Sequence, residues 1–359
     1  MRNRSNHSNK AFTVLELLVA VSVTALLAGM LLNITSQVVE TQTQASGNLE
    51  TNQVAQFVLD RIQEDLQCAV FKNDGNVWMA ADILDSVDEL DNWVEATVSK
   101  PESESLRIKI EDWKEDEINP TFEANQQGPL SESRFGIGGM WLRFFTEAPE
   151  LDPDAENSGG ARAISYQLIR HGLTSSETSS PKYQLFRSDV SDINTLKAGY
   201  NLENDSYLGA SNNGPRESGN IVDPLFTGGD GYESTDFSLA ANIVDFGVRA
   251  YILRNRSQGT SYLEQIFPDV NSTGEILPFK ASSHPKYHEN KSQRYFSFPD
   301  VIDVMVRVMT TEGAAALSTL EDGLLKAPED MTDEEFWWDF VEKNSEVYIR
   351  RIKIFSSGI

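Results

Sequence analysis

The strongest constraint in this sequence is the segment 12–34, which is apolar apart from a single ionisable side chain, Glu16. As an α-helix rising about 1.5 Å per residue it spans roughly 34 Å, enough to cross the hydrocarbon core of a bilayer. Arg2, Arg4 and Lys10 precede the segment. Basic residues before a membrane span keep its amino-terminal end in the cytoplasm. The sequence therefore predicts a single-pass anchor with its carboxyl-terminal domain across the membrane.

Glu16 calls for a partner or a function, because a carboxylate inside an apolar membrane helix costs about 2.5 to 3.5 kcal/mol on insertion scales. Cleavage between Ala11 and Phe12 would create a terminal ammonium at Phe12, four positions before Glu16. Positions four apart share one face of a helix. The ammonium of the same chain, or that of a neighbouring subunit, is therefore a candidate partner for the carboxylate.

The stretch Lys10-Ala11-Phe12-Thr13-Val14-Leu15-Glu16 resembles the type IV prepilin family, which has a short basic leader, a cut just before Phe and Glu as the fifth mature residue. The resemblance implies cleavage between Ala11 and Phe12 by a prepilin peptidase, N-methylation of Phe12, and a role for Glu16 in subunit assembly. Ala11 departs from the family, which usually has Gly before the cut. The implied partners are the peptidase, the inner membrane, and other pilins or pseudopilins contacted through the first helix.

Beyond the span, apolar residues continue at helical intervals, which predicts one long helix from Phe12 to about Phe71 with candidate bends at Gly29 and Gly47. A polar stretch follows, with an acidic run that includes Asp82 and is typical of a solvated helix or loop face. The predicted divisions are a leader at 1–11, a transmembrane and assembly helix at 12–34, an amphipathic helix extension at 35–71, and an acidic β-rich globular domain at 72–359.

The globular region contains segments with strand composition, most of them alternating apolar and polar residues, which predicts half-buried antiparallel sheet. These segments are 106–110, 140–145, 164–169, 183–187, 243–251, 301–308 and 347–355. Polar stretches between them, notably 157–160, 201–219 and 227–235, predict surface loops. The expected fold is α+β and type IV pilin-like, with a long amino-terminal helix packed on an antiparallel β-rich domain.

A late helix is predicted from Thr332, which has capping-box spacing to Glu335. An apolar stripe follows, and such stripes are more often core than binding surface. It consists of Phe336, Trp337, Phe340 and Val341.

Charge and cysteine content exclude some functions. The chain has 30 Lys plus Arg against 55 Asp plus Glu, a formal net charge of -25, which disfavours nucleic acid as a partner because phosphate backbones are repelled. A lone cysteine, Cys68, cannot form an intramolecular disulfide and is predicted to be a small buried apolar side chain.

We expect no cofactor, metal or enzymatic activity, because the sequence has no phosphate-cradling loop and no nucleophile elbow. His284 and His288 are four apart, but Pro285 between them favours a loop. Asp152, Asp154 and Glu156 alternate as in a calcium loop, yet Asn157 stands where an EF-hand loop has Gly. Solvated loop acids are the better interpretation.

Five short motifs resemble the J-type minor pseudopilin of type II secretion, and they occur in this order: 59–66 (LDRIQEDL), 164–168 (ISYQL), 185–187 (LFR), 244–249 (VDFGVR) and 299–304 (PDVIDV). The resemblance implies a structural subunit of a pseudopilus that supports protein export. A position at or near the tip is expected, because so large a domain would crowd a tightly repeating shaft. The mature subunit would span the inner membrane once, with its domain in the periplasm.

Extra material at 72–105, 194–237 and 255–295 distinguishes the chain from typical J-type subunits. A narrower resemblance is to the long prepilin-like proteins of the Verru_Chthon cassette. Two alternatives remain open from the sequence: a type IV pilus minor pilin or adhesive tip subunit, and a membrane-tethered enzyme with an uncleaved anchor.

Overall fold

The computed structural model describes much of the chain, which divides into two units, Met1–Leu49 and Glu50–Ile359. The predicted strand 106–110 lies outside the described residues, as do Ala11 and Phe12. The described residues are 13–83, 130–135, 140–147, 160–171, 182–209, 220–222, 238–255, 261–270, 276–284, 298–321, 324, 327–328, 331 and 333–354.

The described residues form five α-helices and twelve strands, and the first helix, with 54 residues, is far longer than the others. The helices are α1 (Val14–Gln67), α2 (Asp192–Ala198), α3 (Asp205–Leu208), α4 (Thr311–Glu321) and α5 (Asp333–Lys343). The strands are β1 (Met79–Ile83), β2 (Met140–Thr146), β3 (Arg162–His171), β4 (Lys182–Val190), β5 (Ser238–Ala241), β6 (Ile243–Asn255), β7 (Ser261–Phe267), β8 (Asp269–Val270), β9 (Ile276–Leu277), β10 (Phe279–Ala281), β11 (Val301–Met309) and β12 (Ser345–Lys353).

The first unit contains the apolar part of α1, whose side chains are exposed from Val14 to Val39. Among the described helices, this stretch alone is long and apolar enough to cross a membrane. The α-helix is continuous through Gly29 and Gly47, the two candidate bends.

In the second unit, the remaining part of α1 is amphipathic and forms one wall of the core. Ala55, Val58, Ile62 and Leu66 are buried there at intervals of three and four residues, which places them on one helix face. Burial of this stripe holds the 50–67 stretch against the sheets of the same unit.

The helix ends at Gln67, so the prediction that it continues to Phe71 is wrong by about one turn. The chain leaves the helix to join the sheet: Ala69 bridges Thr146, and the Val70 N–H donates to the Phe145 carbonyl at 2.9 Å. The Thr146 hydroxyl donates to the Asp65 carbonyl at 2.8 Å. The backbone N–H and carbonyl groups at the end of α1 therefore bond to β2, where in a longer helix they would bond to the next helical turn.

Two antiparallel sheets make up most of the second unit, which confirms the predicted α+β class. The six-stranded sheet has the order β10-β1-β2-β3-β4-β5, the four-stranded sheet has the order β12-β11-β6-β7, and β8 pairs with β9. Except for 106–110, each predicted strand corresponds to one of these strands within a few residues.

The predicted alternation of buried and exposed residues is wrong for the central strands, because both sheet faces are covered. All residues of β2 are buried. Phe144 packs against Tyr166 on one side of the sheet, and Phe145 contacts Tyr200 and Tyr207 on the other. Neighbouring residues of a strand point to opposite faces, so each face of β2 has its own aromatic cover.

Three further predictions need correction. Stretch 201–219 is not only surface loop, because Leu202 and Tyr207 within it are fully buried and Asp205–Leu208 is helical. Asp82 does not lie on a solvated face, because it belongs to β1 and pairs with Arg143 at 2.7 Å. Cys68 is half-buried rather than buried, because it lies at the turn that ends α1.

The late helix is confirmed as α5, and its apolar stripe is core: Trp337 and Val341 are buried, together with Trp338. Helix α4 was not predicted.

Gly247 in β6 makes room for an aromatic ring that crosses the outer side of the four-stranded sheet. A Cβ at this position would lie 2.0 Å from ring carbons of Phe135. The Phe135 N–H donates to both oxygens of Asp245, at 3.1 and 3.2 Å. Phe135 itself is buried, so its ring has little space into which it can move.

We therefore expect Gly247→Ala to lower the free energy of unfolding by about 1 to 3 kcal/mol, the usual cost of overpacking a core. Chemical denaturation of the purified chain measures the change. Gly29→Ala is the control, because nothing lies within 4 Å of a Cβ there. Adding Phe135→Ala to Gly247→Ala should cost less than the sum of the single changes; strict additivity would contradict the contact.

Candidate assembly site

Glu16 lies in the first turn of α1 and is held by Thr13 in a reciprocal pair of hydrogen bonds. The Thr13 backbone N–H donates to Glu16 Oε2 at 2.9 Å, and the Glu16 N–H donates to Thr13 Oγ1 at 3.3 Å. The Thr13 hydroxyl also donates to Oε2, at 3.0 Å. This is the capping-box arrangement, which satisfies two backbone donors that a helix start leaves without intrahelical partners.

The box fixes the position of the carboxylate without using up its capacity as an acceptor. Both Thr13 donors reach the same oxygen, Oε2, whereas an ionised carboxylate offers two oxygens with about four acceptor positions. Glu16 is exposed at the helix start. The geometry is therefore compatible with a further, charged donor such as an ammonium.

Thr13 was missed by the sequence reasoning, although its spacing to Glu16 is the S/T-x-x-E signature. Phe12, whose ammonium is a predicted partner of Glu16, and Ala11, on the other side of the predicted cut, lie outside the described residues. Cleavage between them and methylation of Phe12 therefore stay predictions.

Hydroxyl side chains further along the apolar stretch bond to the helix itself. Ser22 donates to the Leu18 carbonyl at 2.8 Å, and Thr24 donates to the Ala20 carbonyl at 2.6 Å. Hydrogen bonds of this type satisfy polar groups inside a lipid phase, where no water is present to do so. The stretch can therefore present an apolar surface to lipid or to another helix despite its hydroxyl groups.

Three of the J-like motifs converge on one buried carboxylate, that of Asp65 near the end of α1. The Tyr166 hydroxyl donates to Asp65 Oδ2 at 2.5 Å. Arg187 donates to both oxygens, from Nε at 2.7 Å and from Nη2 at 3.1 Å. Arg61 Nη2 lies 3.1 Å from Oδ1. We call Arg61, Asp65, Tyr166 and Arg187 the Asp65 cluster.

Burial sets the electrostatics of the cluster. Asp65 and Tyr166 are fully buried. Burial, together with the Asp65 charge, raises the pKa of the Tyr166 hydroxyl well above its usual value, so it stays a donor. Burial opposes the charge of Arg187, but hydrogen bonds and attraction from Asp65 outweigh that effect and raise its pKa. The ion pairs of Asp65 with Arg61 and Arg187, and its hydrogen bond from Tyr166, fasten α1 to β3 and β4.

The remaining J-like motifs also supply structural contacts. Asp245 accepts the Phe135 N–H described above, and Asp300 Oδ2 accepts the Leu253 N–H at 2.7 Å. Asp303 receives two bonds from Arg351, each 2.7 Å. The motif carboxylates thus hold strands and crossing segments together, which is a structural role.

A second buried cluster lies around Glu321 and was not anticipated. Its carboxylate pairs with Arg170 at 2.7 Å and accepts the Trp337 indole N–H at 3.0 Å and the Tyr183 hydroxyl. Burial raises the pKa of Tyr183 well above its usual value, and the Glu321 charge adds to the rise. These bonds join α4 and α5 to the six-stranded sheet.

Within the described residues, no group of three or more His, Cys, Asp or Glu side chains is placed to hold a metal. His288, Asp152, Asp154 and Glu156 lie outside those residues. At Cys68, burial first and then the charges of Glu64 and Asp65 raise the pKa of the thiol, which lowers its reactivity as a nucleophile.

Comparison with known proteins finds a match in the amino-terminal segment. The prokaryotic N-terminal methylation motif matches residues 6–32, and no curated protein or solved structure matches the chain. The match, together with the apolar helix, fits a type IV prepilin-like protein. Such a segment implies processing by prepilin peptidase and assembly with other pilins, and the apolar helix fits a single-pass membrane anchor. Prepilin-like proteins with this motif are structural subunits.

Proposed function

We propose that this chain is a minor pseudopilin, a structural subunit at or near the tip of a type II secretion-like pseudopilus, where it supports protein export. The observation that carries the proposal is the position of Glu16, held by Thr13 at the exposed start of an apolar helix that matches the methylation motif. In the mature subunit, the ammonium of Phe12 or of a neighbour neutralises this carboxylate as the helices pack together.

The J-like motifs support the finer assignment because their residues have a common structural purpose. Arg61 and Asp65 from the first motif meet Tyr166 and Arg187 from the next two. A subunit whose anchor helix sits in a filament must keep its outer domain fastened to that helix, and the Asp65 cluster provides this fastening. The tip position rests on the size of the domain, which a tightly repeating shaft would not accommodate.

Mass spectrometry of the mature amino terminus tests the proposal. Chain purified from membranes or sheared filaments should begin at Phe12 with one added methyl group, because cleavage supplies the ammonium that Glu16 needs. Cells lacking the prepilin peptidase should yield the chain with residues 1–11 attached.

The same filament preparation tests the assignment to the tip. Peptides of this chain should be far less abundant than those of the principal pilin-like subunit. A native chain that still begins at Met1 would refute a role as a filament subunit, and one copy per principal subunit would refute the tip position.

A further inference from the structure

Strand β12 forms one edge of the four-stranded sheet, with β11 as its neighbour. Its nine residues make it the longest edge strand in the described sheets, since β7 has seven residues, β5 four and β10 three. It pairs with β11 over nine consecutive residues without a bulge, and it contains no proline. Short length, bulges and prolines protect a sheet edge from further pairing, and β12 has none of them.

Hydrogen bonds just beyond the two ends of β12 show which of its backbone groups point away from β11. The Ile354 N–H donates to the Asp300 carbonyl at 2.9 Å, and the Thr310 N–H donates to the Asn344 carbonyl at 3.2 Å. Both pairs continue the register of β11 with β12, and hydrogen-bonded pairs alternate with unbonded pairs along an antiparallel ladder. The even-numbered residues of β12 therefore bond to β11, and the odd-numbered residues direct their N–H and C=O groups to the open edge.

The outward backbone groups in the middle of β12 are available to a further strand. Within the described part of the chain, no hydrogen bond reaches the backbone of Val347, Ile349 or Arg351 from the open edge. Ile349 is 44% exposed and the Arg351 side chain 59%. The turn 130–132 lies near β12 but makes no backbone hydrogen bond to it. A row of unpaired N–H and C=O groups of this length is a template for strand addition.

The face of β12 that carries the odd-numbered side chains changes from apolar to basic along the strand. Ile349 is followed on that face by Arg351 and Lys353, whereas Glu346, the one acid of the strand, lies on the opposite face. Arg351 donates two bonds to Asp303, but a guanidinium has five N–H donors and can bind a second carboxylate. A complementary strand therefore has an apolar side chain next to Ile349 and carboxylates next to Arg351 and Lys353.

Antiparallel pairing with a second copy of the chain does not suit this edge. The 50–67 stretch of α1 runs alongside β12 in the same direction, because Thr51 bonds to Tyr348 at 2.9 Å and Gln63 bonds to Arg350 at 3.3 Å. Two β12 strands in antiparallel pairing would therefore place their α1 stretches in opposite directions. Two chains anchored in one membrane would have to enter such a pair from opposite sides.

Parallel pairing with a second copy is also unfavourable. In register it would place Arg351 and Lys353 beside their own counterparts, and like charges side by side on two strands are destabilising. The net charge of -25 on each chain adds long-range repulsion. The basic side chains thus act against self-pairing and favour a different, acidic partner.

We propose that β12 binds an extended segment of a different protein chain by strand addition, with backbone hydrogen bonds to Val347, Ile349 and Arg351 and with carboxylates of the segment beside Arg351 and Lys353. The inference goes beyond the proposed function, because filament assembly through α1 does not require this edge. It uses the membrane anchor only to set aside a second copy of the chain.

Photo-crosslinking from position 349 tests the inference. Full-length chain with benzoylphenylalanine at 349 is produced in its native cells and then irradiated. The expected product joins one copy of this chain to one short segment of a different protein, mapped by mass spectrometry and containing Asp or Glu. Leu196 is the control position: it is 63% exposed but lies on α2, and the same product should not form there.

A proline substitution shows whether the product depends on the backbone of β12. Val347→Pro removes an outward N–H, and residue 347 makes no ladder bond to β11, so an edge position of this kind tolerates proline. The yield of the product should fall several-fold. Val347→Thr is the matched control, because it keeps the N–H and a β-branched side chain, and it should leave the yield unchanged. Thermal unfolding of both variants shows whether the fold is retained.

A charge reversal tests the acidic character of the partner. Lys353→Glu should lower the yield several-fold, because the variant side chain repels a carboxylate on the added strand. Lys197→Glu, an exposed base-to-acid change on α2, should leave the yield unchanged.

The outcomes separate this inference from the proposed function. Strand addition is wrong if a folded Val347→Pro variant gives the parental yield, if position 349 crosslinks to a second copy, or if no product forms. An undiminished yield for a folded Lys353→Glu variant refutes the acidic partner. A chain that is neither cleaved before Phe12 nor incorporated into filaments contradicts the proposed function, and the crosslinking result at position 349 is read independently of it.

Discussion

Replacing Glu16 with valine is expected to abolish incorporation into filaments while the chain stays in the membrane. The substitution removes the only ionisable side chain of the apolar segment, and with it the proposed partner of the terminal ammonium. It also makes the segment more favourable in lipid by about 2.5 to 3.5 kcal/mol, so the variant has less tendency to leave the bilayer. Immunoblots of sheared filaments and of membranes measure the two populations.

Glu16→Gln and Thr13→Val separate the charge of Glu16 from its role in the capping box. Gln keeps the side-chain length, and its carbonyl oxygen can still accept the Thr13 N–H. Because Gln is uncharged, it cannot form an ion pair with an ammonium. Thr13→Val removes the hydroxyl that bonds Oε2 and the Glu16 N–H, at a cost of about 1 kcal/mol in helix stability, and leaves the carboxylate.

We expect Glu16→Gln to fail in assembly as completely as Glu16→Val, whereas Thr13→Val should still assemble with reduced yield. Normal filaments from Glu16→Gln would mean that capping alone explains Glu16, and the ammonium pairing would then be wrong. The two substitutions are needed together because Glu16 bonds to Thr13 in the structure and is proposed to pair with a terminal ammonium as well.

Periodicity explains which elements the sequence predicts well. The buried stripe of α1 repeats every three or four residues, and the pattern is long enough to identify the helix. The helix end is different, because Ala69 and Val70 bond to Thr146 and Phe145, which are distant in sequence. No local signal contains that information.

Strand β1 was missed because its chemistry looks like that of a loop. Asp82 belongs to an acidic run, and acids in a polar stretch are usually solvated. Its partner, Arg143, lies on the adjacent strand 61 residues away. A buried pair of this kind becomes recognisable only when the pairing of β1 with β2 is known.

In the candidate site, too, one residue could be found from the sequence and a cluster of residues could not. Glu16 is conspicuous because lipid penalises a charge, whereas the Asp65 cluster was present in the sequence only as short motifs without an evident purpose. Tyr166 and Arg187 are 101 and 122 residues from Asp65. Their convergence depends on the packing of α1 against β3 and β4, which residue spacing alone does not determine.

Asp65→Ala is expected to destabilise the second unit by about 3 to 5 kcal/mol, the usual cost of removing one partner from a buried ion pair. Arg187 is 5% exposed and would keep its charge, with Asp189 as its remaining acid partner at 2.5 Å. The Tyr166 hydroxyl would lose its acceptor as well. Chemical denaturation of the purified chain measures the loss, which is a large part of the 5 to 15 kcal/mol typical of a domain.

Glu64→Ala is the matched control, because Glu64 pairs with the same Arg61 but has a half-exposed side chain; exposed pairs contribute roughly 0 to 1 kcal/mol. Tyr166→Phe should cost about 1 kcal/mol, because it removes one hydrogen bond and leaves the ion pair. If Asp65→Ala lowers the free energy of unfolding no more than Glu64→Ala does, the buried ion pairs of Asp65 do not stabilise the domain more than an exposed pair. The domain would then be held to α1 by the apolar stripe of Ala55, Val58 and Ile62 instead.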